Sequence, residues 1–201
     1  MNVAEQKAIV DEILERLELV DPYAAVAGGA PRDWYFGNLA RDIDMYFYSN
    51  ADTWNATTKQ LSKTLSLDIE AFSSTFDRGD EERISMYTVM NCIRRIIDFE
   101  YKGVQFQLMQ LLQPKDNFKV VDQMSASVCK IWYKGGKIRL TQDFKLTIAS
   151  GLIFLNDSYN WSDPHPKKIQ RYFSDKFGFS NRTGAVTQAL SKSLRSIPNV
   201  A

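Results

Sequence analysis

The residues best suited to chemistry lie between positions 28 and 48. They are Gly28-Gly29-Ala30-Pro31-Arg32-Asp33, an eight-residue spacer, then Asp42-Ile43-Asp44 at the head of the apolar run Met45-Tyr46-Phe47. Two carboxylates separated by one residue on a strand point to the same face, roughly 6.5 to 7 Å apart. Ionised at that distance, they repel by about 2 kcal/mol at an effective dielectric near 20. Magnesium relieves the repulsion, because hard cations take carboxylate oxygens and share their remaining positions with phosphate. A pair of such ions activates an attacking hydroxyl and stabilises a departing pyrophosphate. Gly28 and Gly29 allow the backbone to approach phosphates without a Cβ clash. The helix start behind them offers unpaired amides to an anion, and Arg32 adds a fork of donors. Singly, each piece is ordinary: a D-x-D is usually a solvated strand end, a Gly-Gly a turn, an Arg-Asp a surface ion pair. Their order along the chain makes the argument. Asp42 and Asp44 are the candidate catalytic residues and metal ligands; Gly28, Gly29, Arg32 and Asp33 are the candidate nucleotide-binding residues.

These side chains need elements to position them. Apolar residues at Ile9, Val10, Ile13, Leu14 and Leu17 predict an amphipathic helix from Ala4 to Val20, stopped at Asp21-Pro22. Tyr23 to Ala27 reads as a short buried strand running into Gly28-Gly29, and Pro31 to Phe36 as a short helix ended at Gly37-Asn38. Ile43 to Tyr48 is the next strand. Ser49 to Asp52 caps a second amphipathic helix carrying Trp54, Leu61 and Leu65. The polar stretch Phe72 to Arg83 reads as an exposed loop. Arg95–Tyr101 and Val104–Leu111 flank Lys102-Gly103, a hairpin signal; Val128–Tyr133 and Lys137–Leu140 flank a second turn. From Gln142 the pattern becomes helical, and Lys167 to Phe177 forms a basic amphipathic helix before Gly178.

Composition sets the frame. A chain of 201 residues with 44% hydrophobic and 12% aromatic content can bury a substantial core. The expected division is a head, 1–145, and a helical appendage, 146–201. A net charge of +1 gives no global attraction for nucleic acid. Cys92 and Cys129 are too few for a disulfide scaffold and read as buried thiols of a reducing compartment. No apolar run approaches bilayer length and the start is not a signal peptide, so the expectation is a soluble, cytoplasmic protein without membrane partners. Lys130, Lys134 and Lys137 lie close enough in sequence to reach phosphates, and Arg171 sits with Lys167, Lys168 and Lys176 on the basic helix. Solubility explains such charges equally well. Lys130 and Arg171 complete the candidate nucleotide-binding set. His165, the single histidine, reads as a surface-loop residue.

At Gly28, Gly29, Arg32, Asp33, Gly37, Asp42 and Asp44 the chain resembles the nucleotidyltransferase head domain of the DNA polymerase β-type superfamily. The resemblance is nearest to the class II CCA-adding enzyme and bacterial poly(A) polymerase branch, with Pro31 in place of the usual valine. It implies an α+β fold: a mixed sheet with flanking helices and a short C-terminal helical appendage. It also implies magnesium-dependent transfer of a nucleotide from a nucleoside triphosphate to an acceptor hydroxyl, on an RNA or tRNA 3′ end, a small molecule or a protein. Lys168 to Phe173 followed by Phe177-Gly178-Phe179 resembles the basic helix beyond that head, as in compact phage-type relatives. That likeness places the chain in a bacterial or phage-infected cell, where a host protein is a further possible partner.

The chain departs from the pattern at two places. The strand that offers a third carboxylate in the family corresponds to Phe106-Gln107-Leu108, and Gln107 is neutral. Asp98 or Glu100 on the partner strand can substitute if register brings them to the same face. The segment that seats sugar and base maps onto Met124 to Lys130, where the family's aspartate is Ser125. These departures open an alternative, a catalytically degenerate nucleotide-binding or protein-interaction module on the same fold. Only about 55 residues follow the head, too few for the neck, body and tail that templated CCA addition requires.

Overall fold

The computed structural model describes residues 1–66, 74–77, 93–113, 117–154, 171 and 174–175. Helix α1 (Val3–Glu18) opens on a reciprocal cap. Asn2 Oδ1 accepts from the Glu5 amide at 3.0 Å, and the Glu5 carboxylate accepts from the Asn2 amide at 2.7 Å. The helix buries Val10, Ile13, Leu14 and Leu17, the stripe expected from their spacing. Strand β1 (Ala25–Ala27), helix α2 (Gly29–Tyr35) and strand β2 (Asp42–Tyr48) follow, then helix α3 (Ala51–Leu65), capped by Asn50.

Further along come β3 (Ser74–Asp77), β4 (Ile93–Tyr101) and β5 (Val104–Leu111). Lys102 and Gly103, both at positive φ (50° and 74°), make the two-residue turn between β4 and β5. Helix α4 (Asn117–Asp122) and a 3-10 turn (Ser127–Cys129) lead to the hairpin of β6 (Ile131–Lys134) and β7 (Lys137–Leu140) and to α5 (Gln142–Ser150).

The strands form one mixed sheet in the order β3-β4-β5-β2-β1-β6-β7. Among the described residues only β2 and β5 run parallel; the other neighbours are antiparallel. One face packs Ile43, Met45, Phe47, Phe106 and Leu108 against α1 and α3, with Phe47 stacked on Trp54 at 5.6 Å. The opposite face packs Tyr46, Met109, Ile96 and Ile131 against Val120, Val121 and Phe144 of α4 and α5. Burying each such side chain contributes roughly 1.5 to 3 kcal/mol.

Two buried polar residues tie the layers. Gln6 accepts from Trp34 Nε1 at 2.7 Å and the Ala40 amide at 2.9 Å, and donates to the Ala40 carbonyl at 2.8 Å. It therefore anchors α2, and the chain entering β2, to α1. Asp21 accepts from the amides of Tyr23 at 2.9 Å and Tyr48 at 2.8 Å, joining the entrance of β1 to the exit of β2.

The structure departs from the sequence reading in three places. Part of the expected loop at 72–83 is β3, which pairs with β4 at the sheet edge; its polar residues suit an edge strand, which periodicity alone does not separate from a loop. Helix α4 was not anticipated, because six residues are too few for a helical period to register. Val128 and Cys129, expected to start a strand, belong to the 3-10 turn. Residue 145 falls inside α5, and Ile153 and Phe154 are buried. The basic helix 167–177 and Cys92 lie mostly or wholly outside the described residues.

Candidate active site

Strand alternation places Asp42 and Asp44 on the sheet face opposite the buried Ile43 and Met45. Ala25 pairs with Tyr46 and Val26 with Met45, antiparallel, so the end of β1 runs back alongside the beginning of β2. Gly28 and Gly29 therefore come level with the two aspartates. The Gly28 amide donates to the Ile131 carbonyl at 3.1 Å, fixing the bend against β6. Its φ of +83° and ψ of −119° are costly for any residue with a Cβ. Gly29 and Ala30 begin α2, whose first amides no turn of the helix can satisfy.

Arg32 lies on α2 with a side chain 14% exposed. Its Nε and Nη2 both reach Asp33 Oδ1 at 2.9 Å, and Nη1 lies 3.4 Å from Cys129 Sγ. The guanidinium is thus oriented by one carboxylate and one buried thiol. Burial pushes the Cys129 thiol upward, with the Arg32 charge opposing, so the sulfur stays protonated at neutral pH. Asp42 is paired with Arg41 at 2.8 Å, and Arg41 is 88% exposed. Such an exposed pair contributes about 0 to 1 kcal/mol, so it competes weakly with a divalent cation.

Asp44 is partly buried, and its carboxyl is pushed up to about 7. Burial is the largest cause, the charge of Asp42 adds to it, Arg32 opposes it, and Asp98 raises it further. Among the described residues Asp44 makes no side-chain hydrogen bond or ion pair. The site therefore concentrates negative charge that a cation would relieve. It does so without a closed cage: among the described residues, no group of three or more His, Cys, Asp or Glu side chains is gathered to hold a metal.

The register extends the polar surface over three strands. Asp42, Gln105 and Glu100 form one row; Asp44, Gln107 and Asp98 form the next. Glu100 accepts from Gln105 Nε2 at 2.5 Å. Tyr46, Met109 and Ile96 make the following row on that face, and all three are buried. The open polar surface is thus confined to the end of the sheet nearest the Gly28 bend.

Lys130 sits elsewhere in the electrostatic scheme. It is 5% exposed and bonded to Asp143 at 2.9 Å and Asp122 at 3.1 Å, clamping α5 to α4. Its ammonium is already held by two carboxylates. The paired aspartates had no visible link to it in sequence, since they lie 8 and 13 residues away on helices. Arg171 is helical and exposed. The link between Arg32 and Cys129 was also missed, because nothing local joins residues 97 positions apart.

No protein-family model matches the chain, and no curated protein matches it significantly. Solved structures do. A tRNA-processing enzyme in an apo form superposes with a TM-score of 0.59 at 13% identity, over 94% of this chain and 49% of the other. The Thermotoga maritima CCA-adding enzyme complexed with tRNA gives 0.55 at 17% identity, over 96% and 45%. A tRNA nucleotidyltransferase complexed with a primer tRNA and an incoming ATP analog gives 0.55 at 12% identity, over 86% and 46%. The chain thus spans just under half the length of these structures. The likeness carries the architecture: the chain shares the mixed α+β fold of these structures.

Proposed function

We propose that the chain is a magnesium-dependent nucleotidyltransferase, moving a nucleotide from a nucleoside triphosphate to an acceptor hydroxyl with release of pyrophosphate. The observation that carries this reading is the placement of Asp42 and Asp44 on one sheet face, level with the Gly28 bend. An RNA end is the favoured acceptor, since solved neighbours are complexes with tRNA, an ATP analog or CTP. Small-molecule and protein hydroxyls are the other acceptors that the chemistry allows.

The donor set fits magnesium: two carboxylates on one face, one held only by an exposed arginine and the other with no bonded partner among the described residues. Bound there, the metal would supply Lewis-acid activation of the acceptor oxygen and charge neutralisation on the leaving phosphates. The protein's own contribution is placement. Gly28 turns the chain so that backbone reaches the phosphates, the first amides of α2 face them, and Arg32 adds fixed positive charge. The acceptor oxygen bonds to the α-phosphorus as the bond to the β-phosphate breaks, and the acceptor proton passes to water or a carboxylate.

The test is the double variant Asp42→Asn/Asp44→Asn. Pyrophosphate release should be abolished while circular dichroism stays that of wild type; undiminished turnover would remove the site from consideration. The neutral Gln107 favours a second reading, nucleotide binding without catalysis. Calorimetry with each triphosphate, with and without magnesium, combined with a pyrophosphate-release assay over RNA and small-molecule acceptors, separates the two. Binding without release supports the second.

A further inference from the structure

We infer that Arg41 is a second triphosphate contact, parked on Asp42 in the ligand-free chain and transferred to the outer phosphates when the triphosphate binds. The inference rests on the nucleotidyltransferase reading and deepens it. Arg41 is the last residue before β2, at the end of the sheet nearest the Gly28 bend. Its Nη2 donates to Asp42 Oδ2 at 2.8 Å, and its Nε reaches the same oxygen at 3.3 Å. Both donors share one oxygen, so the parallel two-oxygen fork that makes arginine–carboxylate pairs strong is not formed. The Arg41 side chain is 88% exposed, and a pair held in water exchanges partners at little cost. Among the described residues, no other hydrogen bond or ion pair holds it.

The charges around Arg41 set its alternative partner. Asp44 and Asp33 act on it together with Asp42, which places its guanidinium within the field of both the acidic pair and α2. Arg32 and Arg41 both oppose the charge of Asp44, but they differ in freedom. Arg32 is fixed by Asp33 and Cys129, whereas Arg41 turns on a long exposed side chain. A triphosphate seated at the bend brings phosphate oxygens to the α2 side of the acidic pair. Once Asp42 gives its oxygens to a divalent cation, its hold on Arg41 weakens, while a phosphate offers two oxygens matched to the guanidinium fork. The exchange keeps the arginine charge useful in both states. It offsets part of the repulsion between Asp42 and Asp44 when the site is empty, and part of the phosphate charge when it is filled.

The experiment is calorimetry on the full chain, comparing wild type with Arg41→Ala, whose exposed side chain leaves packing undisturbed. Lys59→Ala, at an exposed position of α3 on the opposite face of the sheet, matches the change in net charge. The probes are the α,β-methylene analogues of ATP and CTP with Mg2+, and Mn2+ alone. Arg41→Ala should bind the analogues about tenfold more weakly, having lost a charge-assisted phosphate contact. It should bind Mn2+ alone about two- to fivefold more tightly, because the parked cation no longer competes for Asp42. Lys59→Ala should match wild type with every probe. Unchanged analogue affinity in Arg41→Ala, an equal loss in Lys59→Ala, or Mn2+ bound no more tightly by Arg41→Ala would overturn the assignment. In each of those cases analogue binding by wild type would leave the parent reading intact. A wild type that binds neither analogue would overturn both.

Discussion

Asp44→Asn should stabilise the metal-free protein at alkaline pH, and the gain should vanish in acid. The side chain is an acid whose folded pKa is raised from 3.8 to about 7, chiefly by burial and next by the charge of Asp42. Below about pH 4 the aspartate is protonated whether the chain is folded or unfolded, and it has no effect. Between about pH 4 and 7 the folded state binds the proton more tightly, so stability falls as pH rises. Above pH 7 the full penalty applies. At about 1.4 kcal/mol per pH unit, it amounts to about 4 kcal/mol, an upper figure because the side chain keeps some contact with water. Asparagine resembles the protonated acid and escapes the penalty. Urea unfolding in EDTA at pH 8 should show the variant more stable by about 2 to 4 kcal/mol, and at pH 4 by almost nothing. A constant offset between the amide and the acid cancels in this comparison. Magnesium with a triphosphate should reverse the order at pH 8, raising the wild-type midpoint and leaving the variant's unchanged. A variant no more stable at pH 8 than at pH 4, relative to wild type, would refute the account of Asp44 as a repelled, partly buried carboxylate.

Two further substitutions separate positioning from structure. Gly28→Ala places a Cβ on a backbone at φ +83°; it should cost about 1 kcal/mol of stability and weaken triphosphate affinity more than tenfold by calorimetry. An unaltered affinity would detach the bend from phosphate binding. Lys130→Met should unfold more easily by about 3 kcal/mol, because it removes the ammonium bonded to the largely buried Asp143, with triphosphate affinity per folded molecule unchanged. A selective loss of affinity at unchanged stability would instead make Lys130 a phosphate contact.

What sequence alone determined is the part written in local periodicity. The stripe of α1, the Gly28-Gly29 bend, the Lys102-Gly103 turn and the common face of Asp42 and Asp44 each follow from residues within a few positions of one another. Backbone geometry then leaves little choice. Tertiary structure decided whatever depends on pairing between distant segments. The register of β4 on β5 and of β5 on β2 selected Asp98 over Glu100 for the row of Asp44. A slip of one residue would have turned both acids to the opposite face, because side chains alternate with a period of two. Burial likewise set Lys130 between Asp122 and Asp143, and Cys129 against Arg32. Charges close in space but distant along the chain set the potential of the site, and only the folded sheet brings them together.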